Sequence, residues 1–198
     1  MKTTLRKISI HNPNTTPSLQ RLITQDLHQC TTPKLSTICN ASGKVCLIFW
    51  VQHHNQQTDI WIEQTNIPEL LKTIQFYDPF QELTLQQSDQ TIWADTQLQF
   101  SNTPIPGDDS WPLFLIQQTI PTITADIKGR YTPQILNLID AVSFHKGCFI
   151  GYEVIARTQF RGSSKRIIQY QTHQSPISSA INCHFDGTTY HTLTIEKI

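Results

Sequence analysis

The stretch WPLFLIQQTIPTITADIKG, residues 111–129, constrains the fold more than any other segment. Leu113, Ile116, Ile120, Ile123 and Ile127 recur at spacings of 3, 4, 3 and 4, the period of one helix face. Ser110 can cap such a helix, Pro112 suits its first turn, and Gly129 suits the position just past its end. Phe114 and Leu115 widen the apolar surface beyond a single stripe, so the segment reads as a helix surrounded by protein. Pro121 interrupts it. A proline inside a helix forfeits a hydrogen bond and costs about 3 kcal/mol, so a kink or an early end is expected there.

Strand signals dominate the rest. Residues 45–53 and 58–64 are rich in Val, Ile, Phe and Trp and are joined by a turn at 55–57. Residues 82–87, 91–100, 141–144, 149–160 and 166–172 also read as strands; in 149–160, Tyr152, Val154, Ala156, Thr158 and Phe160 alternate onto one face. Arg161 to Ser164 is a turn, and Asp186-Gly187 is a two-residue hairpin signal between strands at 181–185 and 188–195. Short helices are expected at 17–29 and 67–74, with a helix or turn at 133–140. The class is α+β. Residues 1–65 form an N-terminal helix-plus-strands element and residues 66–198 the main domain.

The chain carries 15 Lys/Arg and 15 Asp/Glu, so its formal net charge is zero, which argues against nucleic acid as the main partner. The charge is unevenly placed: residues 128–166 hold seven Lys/Arg against Asp140 and Glu153. Only 15% of residues are charged, so the surface is built from Gln, Thr, Asn and Ser and does not oppose association. Five cysteines without a CxxC pair indicate free thiols in a reducing compartment. Cys46 and Cys148 sit in apolar strand contexts and read as small core residues. Polar His11, Asn12 and Asn14 break any apolar signal core near the start. The apolar run 45–51 is too short to span a membrane. A cytoplasmic protein is expected, with no metal or other cofactor.

From residue 90 onward the order is strand, proline-containing loop, apolar helix, then antiparallel strands. This order resembles the hot-dog fold, in which a curled antiparallel sheet wraps a central helix, here at about 111–128. LQFSNTPIPGDDSWPLFLIQQ and IDAVSFHKGCFIGYEVIARTQF resemble the β-hydroxyacyl-carrier-protein dehydratase branch, with Gln118 as the family's helix Gln and Gly151 in its Gly place. The resemblance spans about residues 70–198. The N-terminal part would supply either half of a second hot dog or an appended element.

What the resemblance implies is acyl chemistry with its machinery missing. Dehydratases of that branch use a His before the helix and a carboxylate on it, because one group takes the α-proton and another protonates the leaving hydroxyl. Residues 55–144 hold no histidine, and Phe114 falls where the acid belongs. The implied function is therefore an accessory, dehydratase-like subunit in fatty-acid, polyketide or aryl-polyene-type biosynthesis. Leu113, Phe114, Ile116 and Ile120 would line an acyl chain. Arg157, Arg161, Lys165 and Arg166 would dock an acyl carrier protein, and a second hot-dog subunit would pair with the first. Two alternatives stay open: an active dehydratase or thioesterase using Asp108, Asp109 or His145, and a non-enzymatic adaptor.

Overall fold

Residues 1–11, 15–78, 83–106, 110–162 and 164–198 are described by the computed structural model. Period-2 alternation builds its main sheet. In β1 (Leu5–His11), Ile8 and Ile10 are buried on one face while Leu5 packs on the other. In β4 (Gln57–Glu63), Ile60 and Ile62 join Ile8 and Ile10, and Asp59 and Trp61 face the opposite way. The strand β3 (Val45–His54) is apolar on both sides, with Leu47, Phe49 and Val51 on one and Ile48 and Trp50 on the other. With β2 (Lys34–Cys39) and β5 (Thr84–Ser88) these form a five-stranded sheet in the order β2-β3-β4-β1-β5, antiparallel throughout.

Two helices close the first face. Leu19 and Leu22 of α1 (Thr15–Leu22) and Leu70 and Ile74 of α2 (Ile67–Tyr77) pack onto Ile8, Ile10, Phe49, Ile60 and Ile62. The chain runs from β4 through α2 to β5 with β1 lying between the two strands, the split β-α-β of ferredoxin-like sheets.

The later chain covers the second face. There Trp50 and Trp61 meet Phe100 at ring-centroid distances of 5.7 and 4.9 Å, and Trp50 meets Trp111 at 5.4 Å. Phe100 belongs to a small hairpin, β6 (Trp93–Ala94) and β7 (Phe100–Ser101), and Trp111 opens α3 (Trp111–Gln117). A neighbouring cluster joins Val45 and Ile48 to Ile116, Ile123, Ile127, Ile155, Ile168 and Leu193. Its last members come from α4 (Tyr152–Arg161) and from a three-stranded sheet of β8 (Arg166–His173), β9 (Asn182–Phe185) and β10 (Tyr190–Lys197), ordered β8-β10-β9. Burying both faces of a five-stranded sheet accounts for the three apolar clusters among the described residues.

This architecture corrects the hot-dog reading. The expected central helix at 111–128 is only the seven residues of α3. It ends because Thr119 takes a left-handed conformation (φ 57°), Thr119 N–H donates to Ile116 and Ile120 N–H reaches back to Leu115, and Pro121 then cannot continue it. Ile123 and Ile127 still reach the core, Ile123 from irregular backbone and Ile127 from a turn. The expected strand at 149–160 is the helix α4, entered through Gly151 at φ 81°. Its two-residue alternation was coincidental; Ile155 is its buried anchor. The expected strand at 91–100 is instead the β6–β7 hairpin, turned by Leu98 at φ 59°. The connection after β9 spans four residues, 186–189, because Phe185 pairs with Tyr190 and Asp186 N–H donates to Thr189. No helix among the described residues is long and apolar enough to cross a membrane.

Candidate functional site

Residues 143–151, SFHKGCFIG, form a loop stitched to the end of α1 and seated on the β2–β3 turn. Ser143 N–H donates to Thr24 O at 2.9 Å, and Thr24 Oγ1 returns a bond to Ala141 O at 2.7 Å. Ile150 N–H donates to Arg21 O at 3.2 Å, and the Lys146 amine donates to Gln20 O. The Lys146 amine also lies 5.2 Å from the centre of the buried Phe149 ring. Burial pushes this amine down to about 8, against the opposing pull of Asp26 and Cys30.

Gly151 forms the seat. A Cβ there would stand 2.5 Å from Asn40 O and 2.8 Å from Gly43 Cα, both backbone atoms that cannot rotate away. Its φ of 81° also lies in the region that side chains avoid. Gly147, at φ 98°, has open space around it. Between these two glycines the chain turns sharply enough to bury Phe149 while leaving Cys148 exposed. The five free cysteines thus divide, with Cys46 half-buried between the two extremes. Cys30 and Cys39 are buried, and burial pushes their thiols up to about 11 and about 12. Cys148 and Cys183 are exposed. The arrangement presents a thiol on a rigid, triply anchored loop, which is what nucleophilic or covalent-carrier chemistry requires of a side chain.

The sheet face around Trp61 holds a second polar group of residues. Asp59 is 3% exposed and accepts from Ser9 Oγ at 2.6 Å, Gln57 Nε2 at 2.7 Å and Lys7 Nζ at 2.9 Å. Burial raises its carboxyl, but these donors together hold it below the usual range. Nearby, Trp111 Nε1 donates to Glu63 at 3.1 Å beside a cleft of about 600 Å³ lined by Thr4, Glu63, Thr65, Trp111, Leu115 and Thr122, among others. Among the described residues no group of three or more His, Cys, Asp or Glu side chains is placed to hold a metal ion.

The expected site residues are scattered. Asp108 and Asp109 lie outside the described residues. His145 is exposed in the Cys148 loop. Phe114 stacks on Trp111 at 5.8 Å, Ile116 is buried in the adjoining cluster, Ile120 packs partly buried between the two, and Leu113 borders a groove with Ser110, Gln117 and His184. Arg157 and Arg161 stand on the exposed side of α4, and Lys165 and Arg166 are exposed at the entry to β8, so they share a helix–strand corner and not a hairpin. Cys148 was passed over as a core residue. The signal that marks it is local: two glycines four residues apart, bracketing Cys-Phe-Ile, forbid the strand that would bury it.

The fold defines a class. It matches the glycine cleavage system aminomethyltransferase T from Bartonella henselae with a TM-score of 0.67 at 12% sequence identity, over 96% of this chain and 76% of that one. In sequence the chain is similar to proteins named tRNA-modifying protein YgfZ. The Colwellia psychrerythraea protein is 43% identical over 67 residues, 33% of this chain and 21% of that protein. The Aliivibrio fischeri protein is 26% identical over 176 residues, 65% of this chain and 55% of that protein. The chain spans about half the length of these relatives or less. No family model matches it.

These likenesses overturn the dehydratase resemblance and what it implied. The structural neighbour is an aminomethyltransferase fold and not a hot dog. The relatives are named for tRNA modification, and neither an accessory role in fatty-acid or polyketide biosynthesis nor an acyl-carrier partner survives. The exclusion of nucleic acid falls too. It rested on a whole-chain charge of zero, and that sum conceals the basic block at 128–166.

The seat and the loop make two predictions. Gly151→Ala will destabilise the fold by roughly 3 kcal/mol or more, whereas Gly147→Ala, strained only in φ, will cost about 1 kcal/mol, read from urea midpoints. The second concerns pH. The unfolded Lys146 amine titrates at about 10.4. Its folded value is about 8, so between these the unfolded chain binds more protons and stability rises with pH. Unfolding free energies at pH 7.5 and 9.5 will therefore rise more steeply in the wild type than in Lys146→Met; equal slopes would contradict the burial of this amine.

Proposed function

We propose that this chain acts in tRNA modification as a protein of the YgfZ kind, with Cys148 as its working nucleophile. The observation that carries the reading is the recurrence of one name, tRNA-modifying protein YgfZ, among relatives that include a match over 65% of this chain. The geometry supports it by holding an exposed thiol on an anchored loop. Cys148 projects from a loop whose backbone is tied to Thr24 and Arg21 and whose far end is fixed by the Gly151 seat. In that role the thiol attacks or carries an electrophilic group. Lys146 positions the loop through its bond to Gln20, and His145, three residues before Cys148, is exposed on the same loop.

The test is rescue. A bacterial strain deprived of its own YgfZ is supplied with this chain, and modified nucleosides in digested tRNA are quantified by mass spectrometry. The wild type restores them, Cys183→Ser restores them equally, and Cys148→Ser falls short by about tenfold or more. Failure of the wild type to restore any nucleoside, or full rescue by Cys148→Ser, would overturn the proposal.

A further inference from the structure

The open side of α4 and the start of β8 combine positive charge with an exposed aromatic ring. Arg157 and Arg161 stand one turn apart on the same face. Lys165 and Arg166 follow where β8 begins, and all four are exposed. None of the four makes a side-chain hydrogen bond or ion pair among the described residues, and the ion pairs found there lie elsewhere. Glu153, one turn before Arg157, is the single carboxylate on this side of the helix. Phe160, directly before Arg161 on α4, is 68% exposed. Its ring is propped edge-on against Phe144, with centroids 5.1 Å apart and planes at 69°. Tyr170, further along β8, is also partly exposed.

A phenyl ring this exposed gains little from its contact with Phe144, and four unpaired cations on the same corner repel one another. Both costs vanish when a polyanion with flat apolar faces covers the patch. Phosphates neutralise the cations, and an unpaired base stacks on the ring. Arg157 and Arg161 are separated along the helix axis by about 6 Å, close to the rise of two stacked nucleotides. A membrane surface would match the charge, but one isolated ring at a helix–strand corner lacks the continuous apolar stripe that insertion needs.

We infer that this corner is an RNA-binding surface, taking backbone phosphates on Arg157, Arg161, Lys165 and Arg166 and an unpaired base on Phe160. The inference rests on the proposed role in tRNA modification and supplies it with a docking face.

Fluorescence anisotropy with labelled single-stranded RNA and with tRNA tests this on the full chain. The Arg157→Gln/Arg161→Gln variant will bind about tenfold more weakly, and its dependence on log salt will be shallower by about 1.4 for single-stranded RNA. Phe160→Ala will bind about tenfold more weakly with the salt slope unchanged. Every substituted side chain is exposed, and unchanged thermal melting confirms intact folding. Wild-type binding that is absent, that persists in the arginine variant, or that is matched by anionic phosphatidylglycerol vesicles overturns the surface. The failures of the two proposals are separable. If Cys148→Ser abolishes nucleoside rescue while the arginine variant binds and rescues normally, the surface is wrong and the functional reading stands. If RNA binds as described but the wild type rescues nothing, the reading is wrong and the surface stands.

Discussion

Gly151 meets the backbone of the β2–β3 turn closely enough that no side chain fits between them. That contact fixes where α4 starts and in which direction it leaves. It sets Ile155 into the cluster shared with Ile48, Ile168 and Leu193, and it turns Arg157 and Arg161 outward. On its other side it fixes the loop that carries Cys148. Gly43 completes the fit at φ 69°, where an added Cβ would stand 3.1 Å from both Val154 and Ile155. Two small residues thus let a helix N-terminus touch a strand turn, and both candidate functional features hang from that junction.

The junction is possible because the main sheet is covered on both faces. Helices α1 and α2 bury one, while the aromatic group of Trp50, Trp61, Phe100 and Trp111 buries much of the other. A sheet with one solvated face would have no reason to draw residues 110–198 against it. The tryptophans also impose a polar requirement, met at Trp111 by Glu63. Each layer therefore positions the next: sheet, aromatic cover, loop and α4.

Legibility in the sequence followed how local each signal was. β3, β4 and α2 were readable because their apolar periods are long and unbroken, and β8 and β10 for the same reason. β1 was missed although Ile8 and Ile10 alternate, because Lys7, Ser9 and His11 make its other face polar; Lys7 and Ser9 are held there by buried Asp59, a partner fifty residues away. The helix at 111–128 was overextended because isoleucines at helical spacing also reach the core from irregular backbone, once Thr119 takes a left-handed conformation. α4 was misread as a strand because its ten residues satisfy both periods. Gly151 carried the decisive information, and its meaning depends on Asn40 and Gly43 across the fold. Cys148 was lost with that strand. Its exposure is a consequence of the turn that Gly147 and Gly151 make around it.

The account turns on whether residues 143–151 form a loop that presents Cys148 in the native protein. Brief alkylation of the folded chain with iodoacetamide, followed by peptide mass spectrometry, measures this directly. The account predicts rapid labelling of Cys148 and Cys183, with Cys30 and Cys39 labelled only after unfolding. A Cys148 as protected as Cys30 would place it in the core and contradict both the loop and the role assigned to its thiol.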